Sequence, residues 1–217
     1  MSLRESAGVC YARVARAHGV ELPPGRLDDA FQRVFAGMPA MAFPGVAADE
    51  IALHERAWWR DVVRSTFLAT DSSVRFSDFD AVFDGLFEHF GSGAAWQLRA
   101  GAEACLATLA ERGLALGVVS NFDQRLPNIL QDLGIMKFFD VVMLPSRCAC
   151  TKPDPAIFAA ALAAIDVEAA AAFFVGDHAE IDLAGGRAAG LRTLDVAELT
   201  TLAELPTRLE ALATLPR

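Results

Sequence analysis

Apolar residues recur at helical spacing throughout residues 4–92. In "SAGVCYARVARAHGV" the apolar positions Val9, Ala12, Val14 and Ala17 predict a helix that stops near Gly19. "LDDAFQRVFAGM" follows Pro23 and Pro24 and sets Ala30, Phe31, Val34 and Phe35 on one face. "ADEIALHERAWWRDVVRSTFLAT" predicts a long third helix, and "SDFDAVFDGLFEHF" a fourth, with Phe79, Val82, Phe83, Leu86, Phe87 and Phe90 at helical spacing. No strand-like alternation interrupts this half.

The pattern changes from about residue 93. Short continuous apolar runs, "LALGVV", "FFDVVML", "AAFFV" and "LRTLDV", now alternate with helical stretches. Those helices are read in "GAEACLATLAERG", "DQRLPNILQDLG", "PAIFAAALAAI", "EIDLAGGRAAG" and "LAELPTRLEALATL". Strands that are apolar throughout are buried on both faces, which predicts a parallel sheet covered by helices on either side. The expectation is an α/β protein: an N-terminal helical cap over 4–92, then a doubly wound parallel-sheet core over 93–217.

Composition narrows the function. The chain has 217 residues, 53% of them hydrophobic, enough for a substantial core. A net charge of −9 argues against nucleic acid as a partner, because phosphate backbones reward clustered Lys and Arg. No long uncharged apolar run predicts a membrane span, and "MSLRESAGVC" lacks an apolar signal core. Cys10, Cys105, Cys148 and Cys150 follow no disulfide-framework spacing and read as reduced thiols, so the expected location is cytoplasmic. Cys148-Ala149-Cys150 is a lone C-x-C, read as loop rather than metal site.

In open α/β sheets ligands bind beyond the carboxyl ends of the strands. "LALGVV" is followed by Ser120-Asn121, a hydroxyl and free N–H groups ahead of a helix read as starting near Asp123. After "FFDVVML" comes Thr151-Lys152-Pro153-Asp154-Pro155, where Asp154 suits an N-cap and Pro155 the first helical position. Lys152 is one of only two lysines in the chain, and Pro153 stiffens its loop. After "AAFFV" comes Gly176-Asp177-His178-Ala179-Glu180-Ile181-Asp182. Two carboxylates converging there suit a hard cation such as Mg²⁺, with His178 solvent-exposed or outside the metal's own shell.

"VVSNFD", "TKPDP" and "VGDHAEIDLAGGRAAGLRT", in that order, resemble the second, third and fourth motifs of the haloacid dehalogenase-like (HAD) hydrolases. The helical half resembles the cap that this family inserts just after its first motif. The second motif is closest to that of the phosphatase-like branch. The resemblance implies that Ser120 hydrogen-bonds a transferred phosphoryl group and that Asn121 shapes the loop and offers its N–H. It implies that Lys152 neutralises phosphate and nucleophile, that Asp177 binds Mg²⁺, and that Asp182 binds it directly or through water. The implied substrate is a small phosphorylated metabolite, with haloacid dehalogenation the competing chemistry. "AGMPAMAFPG" and Trp58-Trp59 are read as cap core and loop, with lining of a substrate cleft the alternative.

The family's nucleophile is the first Asp of an Asp-x-Asp string at the tip of a central strand. "SDFDAVFDG" offers Asp78 and Asp80, but the residues before it are no strand. Ser77 reads as an N-cap there, and both aspartates fall in the first helical turn, where carboxylates are favoured. The string is expected to be a decoy. The resemblance therefore implies a chain without its first strand and nucleophile, through a shortened start or as a natural noncatalytic binder. A gap of about 9–10 Å, two strand spacings, is expected between the strands leading to Ser120 and Asp177, unless those two pair directly. Exposed edges there invite a homodimer. A different enzyme using Asp123 or Asp177 as its carboxylate is a third reading.

Overall fold

The computed structural model describes residues 1–213. They divide into two compact units: Met1–Met41 with Val46–Gln97, and Ala42–Gly45 with Leu98 onward.

The first unit is built on helices α1 (Ala7–Ala17), α2 (Pro24–Gly37), α3 (Ile51–Thr70) and α4 (Phe79–Gly91). Two short strands, β1 (Ser2–Leu3) and β2 (Trp96–Gln97), pair antiparallel near its ends. Two residues are too few to show alternation, so the pattern gave no sign of them. The core gathers Tyr11, Leu27, Phe67, Val82, Phe83 and Leu86. On α1 the buried stripe is Gly8, Tyr11, Ala12 and Ala15, rotated from the expected face, and Ala17 is exposed. The rotation follows from a close approach to α2. A Cβ on Gly8 would lie 2.1 Å from the Pro24 carbonyl oxygen, and the Gly8 N–H donates to Asp28 at 2.6 Å. On α2 the buried residues are Leu27 and Ala30. The expected Phe35 is exposed but stacks on Phe31 and meets both Trp58 and Trp59.

The second unit runs α5 (Ala102–Glu111), β3 (Gly117–Val119), α6 (Leu126–Asp132), β4 (Val141–Met143), α7 (Pro145–Cys148) and α8 (Pro155–Ala164). It continues through β5 (Phe173–Gly176), a π-helical turn at Ala179–Ala184, α9 (Gly185–Ala188), β6 (Arg192–Asp195) and α10 (Leu205–Ala213). The helix read over 202–215 runs past the described residues at its end. Each strand is shorter than its apolar run, because the flanking residues turn into loops. The short α7 was not foreseen, and α6 begins at Leu126 rather than near Asp123.

The strands pair in parallel, as expected of an α/β fold, but as two separate pairs. β3 lies beside β4 with Val118 opposite Val142, and β5 beside β6 with Val175 opposite Leu194. Among the described residues no ladder joins β3 to β5. Of the two arrangements expected at this place, the strands adopt the unpaired one. Burial follows: β4 is buried throughout, whereas the apolar residues of β3 and β5 are only half-buried.

Candidate functional site

The candidate residues lie on three segments that follow β3, β4 and β5. β3 ends where the Ser120 N–H donates to the Met143 carbonyl at 3.1 Å, which fixes Ser120 at the tip of the β3–β4 pair. The Ser120 hydroxyl oxygen accepts the Phe122 N–H at 3.2 Å, so its own proton remains for a ligand oxygen.

Asn121 does more than shape a turn. Its side-chain amide donates to the Lys152 carbonyl at 2.9 Å, and its amide oxygen accepts the Lys152 N–H at 2.7 Å. This two-point clamp ties the loop after β3 to the loop that precedes α8. The Lys152–Pro153 peptide is cis, and Asp154 caps α8 by accepting the Ala156 N–H at 2.9 Å.

The Lys152 ammonium lies 2.6 Å from the Asp182 carboxylate and 5.4 Å from the centre of the Phe174 ring on β5. Both charged side chains are nearly buried, 12% and 8% exposed. The other Asp182 oxygen accepts N–H groups from Asp177 at 3.1 Å and His178 at 3.2 Å. Burial works against the charge of Asp182, but the Lys152 ammonium and the two backbone donors together outweigh it and hold the carboxyl pKa below its ordinary value. The fit is close: a Cβ on Gly176 would come within 2.4 Å of the Asp182 Cβ. Only glycine lets β5 end there.

Asp177 stands at the strand tip with its side chain 65% exposed, 3.4 Å from the guanidinium of Arg99. His178 is exposed and caps the π-helical turn, its Nδ1 accepting the Ile181 N–H at 3.2 Å. Ser120, Asn121, Lys152, Asp177 and Asp182 are thus linked. Asn121 joins the first loop to Lys152, and Asp182 joins Lys152 to the backbone at Asp177. Arg99 went unread, since nothing in the sequence connects it to a residue so distant along the chain. The Asn121 clamp also went unread, since Asn at a strand end has many simpler uses.

For a divalent cation the expected donors, Asp177 and Asp182, offer carboxylate oxygens, the chemistry a hard ion takes. Asp177 has its carboxylate open to solvent, while Asp182 already serves Lys152 and two N–H groups. Among the described residues no group of three or more His, Cys, Asp or Glu forms a ready-made metal cluster.

Other candidates fall elsewhere. Asp78 is the N-cap of α4, accepting the Ala81 N–H at 3.0 Å, in place of the expected Ser77. Asp80 pairs with Arg60. Asp78 thus caps α4, and Asp80 in its first turn meets a residue of α3. Asp123 is buried, and its carboxylate grips the Arg125 side chain at 2.6 and 2.8 Å. Trp58 donates to the Pro39 carbonyl at 2.9 Å and meets Trp59 edge-on. The Cys148 and Cys150 sulfurs lie 3.0 Å apart, and burial, with the hydrogen bond to Cys148, pushes the Cys150 thiol up to about 12.

A family model described as haloacid dehalogenase-like hydrolase matches residues 10–190. The chain is 40% identical over 198 residues to haloacid dehalogenase-like hydrolase domain-containing protein 3 of Mus musculus, covering 91% of this chain and 77% of that protein. It is 35% identical over 97 residues to a phosphoserine phosphatase of Thermus thermophilus, covering 43% of this chain and 38% of that protein. Its fold matches the magnesium-bound HAD-hydrolase YfnB of Bacillus subtilis with a TM-score of 0.67 at 17% identity, covering 95% and 91% of the two chains. The strand–loop–helix order, the linked residues at the strand ends and the family match agree: this chain belongs to the haloacid dehalogenase-like hydrolases.

Proposed function

We propose that the site is of the Mg²⁺-dependent phosphatase type and takes small phosphate monoesters. The observation that carries this is the linked set at the three strand ends: a hydroxyl with a free proton, a nearly buried ammonium and a carboxylate pair. Ser120 donates to one phosphoryl oxygen. Lys152 spends one of its three donors on Asp182 and turns the others to the phosphate. Asn121 acts by positioning, since it holds the Lys152 backbone against the Ser120 loop. Asp177 would hold Mg²⁺ and Asp182 would hold it through water, and the ion would offset phosphate charge that one lysine cannot balance. A haloacid gives no use for that ion, and the likeness to a phosphoserine phosphatase supports phosphoryl chemistry.

The family reaction needs a carboxylate that attacks phosphorus, displaces the alcohol and is freed by water. Four of the candidate carboxylates are committed, and the fifth, Asp177, faces Arg99 and is the one assigned to the metal. Asp123 is held by Arg125, Asp182 by Lys152, Asp80 by Arg60, and Asp78 by a helix cap. We therefore propose that these 217 residues by themselves hold phosphate without cleaving its esters. The test is phosphate release from a panel of monoesters, with and without Mg²⁺, by the chain, Lys152→Ala and Asp177→Asn. No release from any of the three is expected. Mg²⁺-dependent turnover by the unaltered chain, lost in both variants, would overturn the noncatalytic reading and return Asp78 and Asp80 to candidacy.

A further inference from the structure

Cys148-Ala149-Cys150 is the one sequence motif that the strand-end chemistry leaves unused. Cys148 is the last residue of α7. Ala149 caps that helix in the left-handed region, at φ 54°, and its N–H donates to the Pro145 carbonyl at 2.7 Å. Across this turn the two sulfurs lie 3.0 Å apart. Both cysteines are partly open to solvent, whereas Cys10 and Cys105 are buried, at 2% and 4% exposure. A small reagent therefore reaches this pair ahead of the other two thiols.

The separation selects a chemistry. Two thiolates on one tetrahedral zinc ion, each about 2.3 Å from it, stand about 3.8 Å apart, and such a site takes four ligands. These sulfurs are closer than that, and among the described residues no third His, Cys, Asp or Glu joins them. A disulfide holds its sulfurs about 2.05 Å apart, so the pair needs to close by only about 1 Å to bond.

The two thiols are not equivalent. The Cys150 S–H donates to the Cys148 sulfur, while the Cys148 thiol faces the Leu144 and Cys150 carbonyls at 3.5 Å. A hydrogen bond received favours negative charge, so Cys148 is the sulfur set to attack. Burial first, then the hydrogen bond to Cys148 and its charge, hold the proton on Cys150 up to about 12. The second and third causes fall away once Cys148 is bonded to another sulfur, which frees Cys150 to follow.

We propose that Cys148 and Cys150 form a dithiol site for thiol–disulfide exchange, with a small disulfide of the glutathione type as co-reactant. Cys148 gives up its proton, attacks one sulfur of that disulfide and expels a thiolate, which takes up a proton. Cys150 then gives up its proton, attacks the Cys148 sulfur and expels the second thiolate. The protein dithiol loses two electrons and two protons, and the small disulfide gains them as two thiols. The bridge formed spans a single residue and is reached by solvent, so an excess of small thiol reverses it. It ends two residues before Lys152, yet this inference stands whether or not the site above acts on phosphate.

The probe is oxidised glutathione, added in excess to the full reduced chain. Samples are unfolded, alkylated with iodoacetamide, cut with trypsin and weighed. Peptide 148–187 carries both cysteines and neither of the others. It is expected to be lighter by two hydrogens and free of alkyl groups, and to regain two alkylated thiols after excess reduced glutathione. Cys150→Ser should trap glutathione on Cys148, and Cys148→Ser should trap at least tenfold less on Cys150 in the same time. The unaltered chain alone decides whether the bridge forms, so the variants need report only the order of attack. Both cysteines left as thiols, a glutathione adduct that never closes, or a bridge between two chains would overturn the proposal. Equal trapping in the two variants would overturn the roles given to the sulfurs.

Discussion

The Lys152–Asp182 pair shows how one contact serves both fold and site. Each partner has almost no water of its own, so removing either leaves a charge that solvent cannot screen. Asp182→Asn is expected to cost about 3 kcal/mol at neutral pH in denaturant titration. The pH dependence carries a sign. The folded carboxyl pKa is depressed below the ordinary 3.8, so its stabilisation is present above that value and is lost as pH falls through the folded value. The unaltered chain should therefore lose stability in acid more steeply than Asp182→Asn, and parallel acid limbs would contradict the pairing. Asn121→Ala leaves the Lys152 backbone without its two partners, at a cost of about 1–3 kcal/mol. It should weaken phosphate binding at least tenfold while Lys152 keeps its charge. The placement of the candidates was legible in the sequence because α/β folds end their strands in loops on one edge, so Ser120, Lys152 and the aspartate pair could be proposed by place. Their mutual contacts were not, since a hydrogen bond from Asn121 to a backbone 31 residues away leaves no local pattern.

At the scale of elements, the helix after Ser77 separates a plausible motif from its context. Asp-x-Asp reads as chemistry only at the tip of a strand, and here Asp78 and Asp80 open α4. Asp78→Ala should cost about 1 kcal/mol in thermal stability through loss of the cap and leave phosphate binding unchanged. A loss of binding would mean that α4 contributes to the site. Gly176→Ala, in contrast, forces a methyl against Asp182 at the end of β5 and should destabilise by about 1–3 kcal/mol. The long helices were legible because 3.6-residue periodicity over many turns survives local noise. The face of α1 was misread because its contact with α2 is made by Gly8 and alanines, which apolar periodicity weights lightly. β1 and β2 escaped because two-residue strands have no period at all.

Across the molecule, family and fold class were legible together, because three motifs spaced by strand–helix units constrain topology as well as chemistry. The split of the parallel strands into two pairs was foreseen only as one of two outcomes. Which one forms is a packing question that sequence periodicity does not address. No described helix is long and apolar enough to cross a membrane. The central claim is that Ser120, Lys152 and Asp177 assemble a Mg²⁺-assisted phosphate site in the second unit. The most direct measurement is calorimetric titration of inorganic phosphate into the 217-residue chain and into Asp177→Asn, each with and without Mg²⁺. The account predicts binding that Mg²⁺ strengthens at least tenfold in the unaltered chain and leaves unchanged in Asp177→Asn. Absence of phosphate binding, or binding indifferent to Mg²⁺ in both proteins, would contradict it.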